Sequence, residues 1–136
     1  MLRRVLLVDD NDRYASAITG DLESRGAEVV RVRSAGEGVA MLAGRGMEFD
    51  GIVTDITMET QISGLRVLAA ARRMHFAGVT ATASTGLDTG IGFLFNRFLL
   101  GSIYGCRYLI PKRLIKRRRK VAWIRVGGSR RDEDAR

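Results

Sequence analysis

The stretch VLLVDDND, residues 5–12, decides the fold. Four apolar residues run straight into Asp9 and Asp10, with Asp12 two positions further on. An unbroken apolar run of this kind reads as a strand buried on both faces, as in parallel sheets. The end of a buried strand is a costly place for adjacent carboxylates unless something positive faces them. Two answers are open from these residues alone. The pair faces a metal ion, or Asp9 caps the following loop or helix and no metal is involved.

Working outward, short apolar runs alternate with longer amphipathic ones. Residues 12–25 read as a helix, with Ala15, Ile18 and Leu22 at three- and four-residue spacing and Gly26 as its stop. Further strands are expected at residues 28–32, 49–54, 79–84 and 107–110. Further helices are expected at about 35–45, 64–74 and 91–104, and from Leu114 onward. Five such units predict an α/β fold, a doubly wound (βα)5 parallel sheet of five strands with helices on both faces. Ligands bind such sheets beyond the carboxyl ends of the strands. The first strand brings Asp9 and Asp10 there, the third Asp55, the fourth Ser84-Thr85-Gly86 and the fifth Ile110-Pro111-Lys112.

Bulk properties narrow the chemistry. One cysteine, Cys106, excludes an internal disulfide and any paired-cysteine metal spacing, and one histidine, His75, excludes a histidine cluster. The opening MLRRVLLVDD is too short and too soon acidic for a secretion signal, and no apolar run approaches a membrane span, so a soluble cytoplasmic protein is expected. The net charge of +8 is unevenly placed: 11 of the 23 Lys+Arg but only 3 of the 15 Asp+Glu fall in residues 111–136. The body is electrically balanced, and only the tail has the charge of a nucleic-acid-binding segment.

Three carboxylates at neighbouring strand ends repel one another, and a hard divalent cation resolves the repulsion. An all-oxygen ligand set without Cys or His suits magnesium. The hydroxyls of Ser84-Thr85 and the ammonium of Lys112 add a place for a small anion, of which phosphate is the obvious candidate. Lysine and magnesium would neutralise phosphoryl oxygens, and Asp55 would be the nucleophile forming an acyl phosphate.

On these residues the chain resembles the response-regulator receiver domains of two-component signalling, which are CheY-like (flavodoxin-like) in fold. The likeness covers about residues 3–115 and rests on VLLVDDN, on DGIVTDITM followed by GLRVL, on STG and on GCRYLIPK. It implies strand order 2-1-3-4-5, a receiver domain over residues 1–124 and a flexible basic and polar tail over 125–136. It also implies that Asp55 is the phosphoacceptor and that Asp9 and Asp10 bind Mg2+ with Asp55 and the backbone carbonyl of Thr57. Thr85 corresponds to the switch hydroxyl and Lys112 to the lysine that contacts the phosphoryl group. The implied partner is a sensor histidine kinase or phosphotransfer protein.

The chain departs from that pattern in several places. Met58 is followed by Glu59 where the family has proline. Arg113, not proline, follows Lys112, and Pro111 precedes it. Leu109 stands where the family has its aromatic switch residue, with Tyr108 one position earlier and on the opposite face of a regular strand. Residues 86–104 are longer than the family norm. One stripe there is Ile91, Leu94, Phe95 and Phe98, and a second is Phe93, Leu100 and Tyr104. One of the two suits packing on the sheet, and the other, left exposed in a lone domain, suits a homodimer or partner interface.

Three alternatives accompany the phosphoacceptor reading. Glu59, Leu109 and Arg113 fit a degenerate receiver acting as a docking or dimerisation module. The run KRLIKRRRK, residues 112–120, fits either a solvated, frayed helix end or a contact with nucleic acid, an acidic partner or an anionic membrane surface. Asp10-Asn11-Asp12 matches the DxD nucleophile motif of haloacid-dehalogenase-type phosphatases, although the chain is short for that fold and Asp55 would then be idle. His75 reads as a helix C-terminal residue, and Cys106 as a buried one.

Overall fold

The structure is a computed structural model that describes residues 2–55, 63–84 and 107–125. Strand β1 (Arg4–Val8) is followed by α1 (Asp12–Ser24), β2 (Glu28–Val32), α2 (Ala35–Arg45), a 3-10 turn (Gly46–Glu48) and β3 (Gly51–Asp55). Then come α3 (Ser63–Arg73), β4 (Val79–Ser84), β5 (Tyr108–Pro111), a last helix α4 (Lys112–Arg118) and β6 (Ile124–Arg125). The sheet order is β2-β1-β3-β4-β5-β6. The first five strands are parallel in the expected order 2-1-3-4-5, and β6 extends the sheet by pairing antiparallel with β5.

Strand alternation sends two apolar sets to opposite faces. Val5, Leu7, Val53, Ala81, Ala83 and Ile110 pack with Ala15, Ile18 and Leu22 of α1 and Ile115 of α4. On the other face Leu6, Val8, Val32 and Ile52 pack with Ala35 and Leu42 of α2 and Val67 and Ala71 of α3. β1 and β3 are covered on both sides, which is why residues 5–8 needed to be apolar without interruption.

Helix ends follow local chemistry. Asn11 caps α1, its side chain accepting from the Tyr14 N–H, and Ser34 caps α2 by accepting from the Glu37 N–H. Gly26 takes φ +89° after α1, the left-handed geometry in which a side chain is strained. His75 also lies in that region, with φ 55°, and closes α3: its N–H donates to the Arg72 carbonyl at 3.1 Å and that of Phe76 to Ala71 at 2.9 Å.

Two boundaries differ from expectation by two residues, and ends of α1, β3, α3 and β5 by one. β3 starts at Gly51 rather than 49, after the 3-10 turn that the Phe49 N–H closes on the Gly46 carbonyl at 3.3 Å; the Asp50 carboxylate accepts the backbone N–H groups of Arg3 (2.7 Å) and Arg4 (3.0 Å). The last helix starts at Lys112 rather than 114, directly after Pro111, and stops at Arg119, which takes φ 52°. The chain then turns back as β6. Val121 and Trp123 lie against the α1 side of the core, the Trp123 ring meets Tyr108 edge-on with centroids 6.1 Å apart, and its Nε1 donates to Asp21 at 2.8 Å.

The β3–β4 register depends on close backbone approach at Gly78. A Cβ there would collide with the carbonyl oxygen of Asp50, which accepts the Val79 N–H at 3.0 Å. Backbone cannot rotate aside as a side chain can. Gly78→Ala is expected to destabilise the protein by about 1–3 kcal/mol, read as a lower urea midpoint with unchanged slope. An unchanged midpoint would show that this approach is not tight.

Candidate functional site

The carboxyl ends of β1, β3 and β5 meet at one acidic cluster. Asp9, Asp10 and Asp55 each offer a carboxylate oxygen within 4.8 Å of the others. Asp9 and Asp55 are buried, whereas Asp10 is exposed. Lys112 is buried beside them, its ammonium hydrogen-bonded to Asp55 Oδ2 and 3.8 Å from Asp9 Oδ1. The group facing the acidic pair is therefore, first of all, a lysine from the far side of the sheet.

The same ammonium lies over the ring of Tyr14, 4.5 Å from its centroid. A π-face attracts a desolvated cation and shields it from water. Tyr14 sits in the first turn of α1, where the Asn11 cap fixes the backbone. A second clamp holds the loop before α1. Arg31 of β2 donates from Nε (3.1 Å) and Nη2 (3.0 Å) to the backbone carbonyl of Asp9, and from Nη1 to Asp12 at 2.7 Å. Arg33 also bonds Asp12, at 2.7 Å. The Arg31 hydrogen bond, with the charge of Arg33, holds the Asp12 carboxyl below its ordinary range.

These contacts decide between the readings of the acidic stretch. Asp12 is committed to two arginines and lies outside the cluster, so Asp10-Asn11-Asp12 is not a working pair of carboxylates. Asp9 does cap its loop, with Oδ1 accepting the Asn11 N–H at 2.9 Å. Its Oδ2 is buried without a hydrogen-bond partner among the described residues. The capping and metal-facing answers are thus compatible, one oxygen serving each. Three carboxylates around one ammonium leave an excess of negative charge, and an orphaned carboxylate oxygen fits a hard divalent cation.

Leu109 and Tyr108 occupy the faces expected of them. Leu109 is buried and pairs in unbroken register with Thr82, while Tyr108 faces Trp123 on the α1 side. No bulge brings the tyrosine onto the Leu109 face. Thr57, Glu59, Thr85, Cys106 and the whole of residues 86–104 lie outside the described residues. The structure brings Asp9, Asp10, Asp55 and Lys112 together, and beside them Tyr14 and Arg31, which sequence reasoning missed. The signal for Arg31 was available: a basic residue on a strand pairing directly with β1, where Arg31 is in register with Leu7.

No protein-family model matches the chain, and no curated protein matches it by sequence. Solved structures do match, among them several response-regulator receiver domains. A receiver domain from Clostridium thermocellum has 22% identity and a TM-score of 0.66, covering 82% of each chain. The receiver domain of a Francisella response regulator has 22% identity and a TM-score of 0.65, covering 82% of this chain and 84% of its own. A CheY-like receiver domain from Methanospirillum hungatei has 24% identity and a TM-score of 0.62, covering 82% of both. The fold of this chain is the receiver fold, with a sixth strand added. No helix among the described residues is long and apolar enough to cross a membrane.

Burial lifts the Asp9 carboxyl from its ordinary 3.8 to about 6, the nearby Asp55 adding to the rise and the Asn11 N–H and Lys112 opposing it. A raised carboxyl holds its proton in the folded state after the unfolded chain has released it. Its contribution to stability therefore falls as pH rises from about 4 to about 6, and stays low above that. Without divalent cations, Asp9→Asn is expected to gain stability over wild type across this window, by on the order of 2 kcal/mol at neutral pH. Urea denaturation of both proteins at a series of pH values checks it. A difference that does not change with pH would contradict the assigned burial cost.

Proposed function

We propose that this chain is a phosphoacceptor receiver in a two-component phosphorelay, working in the cytoplasm. The observation that carries the reading is the constellation itself: the buried Asp9 and Asp55 and the exposed Asp10 carboxylates within 4.8 Å of one another with the Lys112 ammonium hydrogen-bonded to Asp55. A structural ion pair would need one carboxylate, not three. The likeness of the fold to solved receiver domains supports the same reading.

In this reading a carboxylate oxygen of Asp55 attacks the phosphorus of a phosphohistidine on a sensor kinase or phosphotransfer protein. The P–N bond breaks, the imidazole leaves with its electron pair, and an acyl phosphate remains on Asp55. Later attack by water on phosphorus restores the carboxylate and releases inorganic phosphate. Lys112 neutralises Asp55 before transfer and a phosphoryl oxygen after it, and Tyr14 keeps water from competing for the ammonium. Asp9, Asp10 and Asp55, with the Thr57 carbonyl, would hold Mg2+, which supplies charge neutralisation at the phosphoryl oxygens. Thr85 would donate its hydroxyl to the phosphoryl group. The switching surface would be the segment 91–104, as a homodimer or partner contact.

Incubation with acetyl phosphate followed by intact-mass measurement tests this directly. Wild type with magnesium should gain one phosphoryl group, while wild type with chelator and Asp55→Asn with magnesium should gain none. A folded wild-type protein that gains nothing would overturn the reading and leave a docking module, with Glu59 and Arg113 the first departures to revert.

A further inference from the structure

The charge of the C-terminal third is displayed by a folded element. Lys116, Arg117, Arg118, Arg119 and Lys120 are all exposed, and none makes an ion pair among the described residues. In the body, by contrast, Arg4, Arg25, Arg31, Arg33 and Arg45 each rest on a carboxylate. Asp12 and Asp21, the acids of α1 at the neighbouring surface, are already engaged by Arg31, Arg33, Arg25 and Trp123. Nothing described near the patch neutralises it.

The patch is also held in shape. The Arg119 N–H donates to the Ile115 carbonyl at 3.0 Å and the Lys120 N–H to Leu114 at 3.3 Å, so the chain turns back in a fixed geometry. Arg13 of α1 joins it, its Nη2 donating to the Lys116 carbonyl at 3.3 Å with the rest of the guanidinium exposed. On the far side, Val121 and Trp123 tie the turn to the core. A helix end expected to fray is instead a braced turn carrying cations from two elements.

We propose that this face, Arg13 with residues 116–120, binds the phosphate backbone of nucleic acid without reading sequence. The chemistry selects that partner over others. Membrane surfaces are held by cations together with inserted apolar side chains. Here Ile115 is buried, while Val121 and Trp123 are half-buried against the core. Protein interfaces depend on buried apolar anchors; residues 116–120 are all charged and exposed, and the apolar residues flanking them, Leu114, Val121 and Trp123, are half-buried. Five consecutive exposed cations, three of them arginines, match a regular row of phosphates, to which arginine can bond in bidentate fashion. The inference does not depend on the chemistry at Asp55.

The test is fluorescence anisotropy of a labelled mixed-sequence duplex DNA with the full chain over a salt series. Four or so phosphate contacts predict an affinity loss of about a hundredfold between about 50 and 200 mM salt. The double reversal Arg117→Glu with Arg118→Glu should reduce affinity more than tenfold with an unchanged circular dichroism spectrum. The same reversal at Arg72 and Arg73, an exposed pair at the end of α3, should leave most binding intact. Asp55→Asn should bind as wild type does. Equal losses from both reversals would mean that net charge alone acts, and would overturn the assigned surface. Absent or salt-insensitive duplex binding would overturn it too, as would binding to phosphatidylserine vesicles but not to duplex.

Discussion

The burial of Lys112 against Asp55 and Asp9 is the interaction on which the rest of the architecture depends. It joins β5, β3 and β1, strands that are not all neighbours in the sheet. A buried charge pair stabilises little by itself, since desolvation of both groups offsets their attraction. Breaking it is another matter, because one charge is then stranded in a dry place. The site is thus constrained to keep its lysine while leaving its acids in surplus. Tyr14 serves that constraint from α1, and Arg31 serves it from β2 by fixing the carbonyl of the residue whose side chain is raised in pKa.

How much of this was legible follows from where the physics is local. Uninterrupted apolar runs ending in charge marked β1 and β3, and the ends of those runs carried the acids of the site. The lysine was legible for the same reason, as a charge closing an apolar run after Leu109 and Ile110. Tyr14 was not. Its place beside Ala15 in α1 shows only that it borders the core, and which ring lies over which ammonium is decided by how α1 sits on the sheet. The return of the chain as β6 was also illegible. A turn of that kind usually announces itself with glycine, but here Arg119 adopts the left-handed geometry. Its sequence reads as continued basic helix, and only the packing of Val121 and Trp123 shows otherwise.

Two kinds of charge organisation coexist in the chain. Five arginines of the body, Arg4, Arg25, Arg31, Arg33 and Arg45, are spent on local carboxylates, and one of these clamps shapes the acidic cluster. The cations of residues 116–120 make no ion pair among the described residues, and the fold shows them to solvent on a braced turn. Separate surfaces of one small domain can in this way carry separate functions, since neither requires residues of the other.

The sixth strand has one more consequence. An open parallel sheet ends in strands whose outward N–H and C=O groups are unpaired, and a long bare edge invites a second chain to add itself. β6 pairs with Tyr108 and Leu109 through Arg125 and Ile124, leaving an outer strand only two residues long. At the opposite margin β2 carries Glu28 and Arg31, charged side chains that discourage sheet-to-sheet growth. Both margins are blunted, so continuous strand addition between copies is disfavoured, and association of this chain is directed to its helical and loop surfaces.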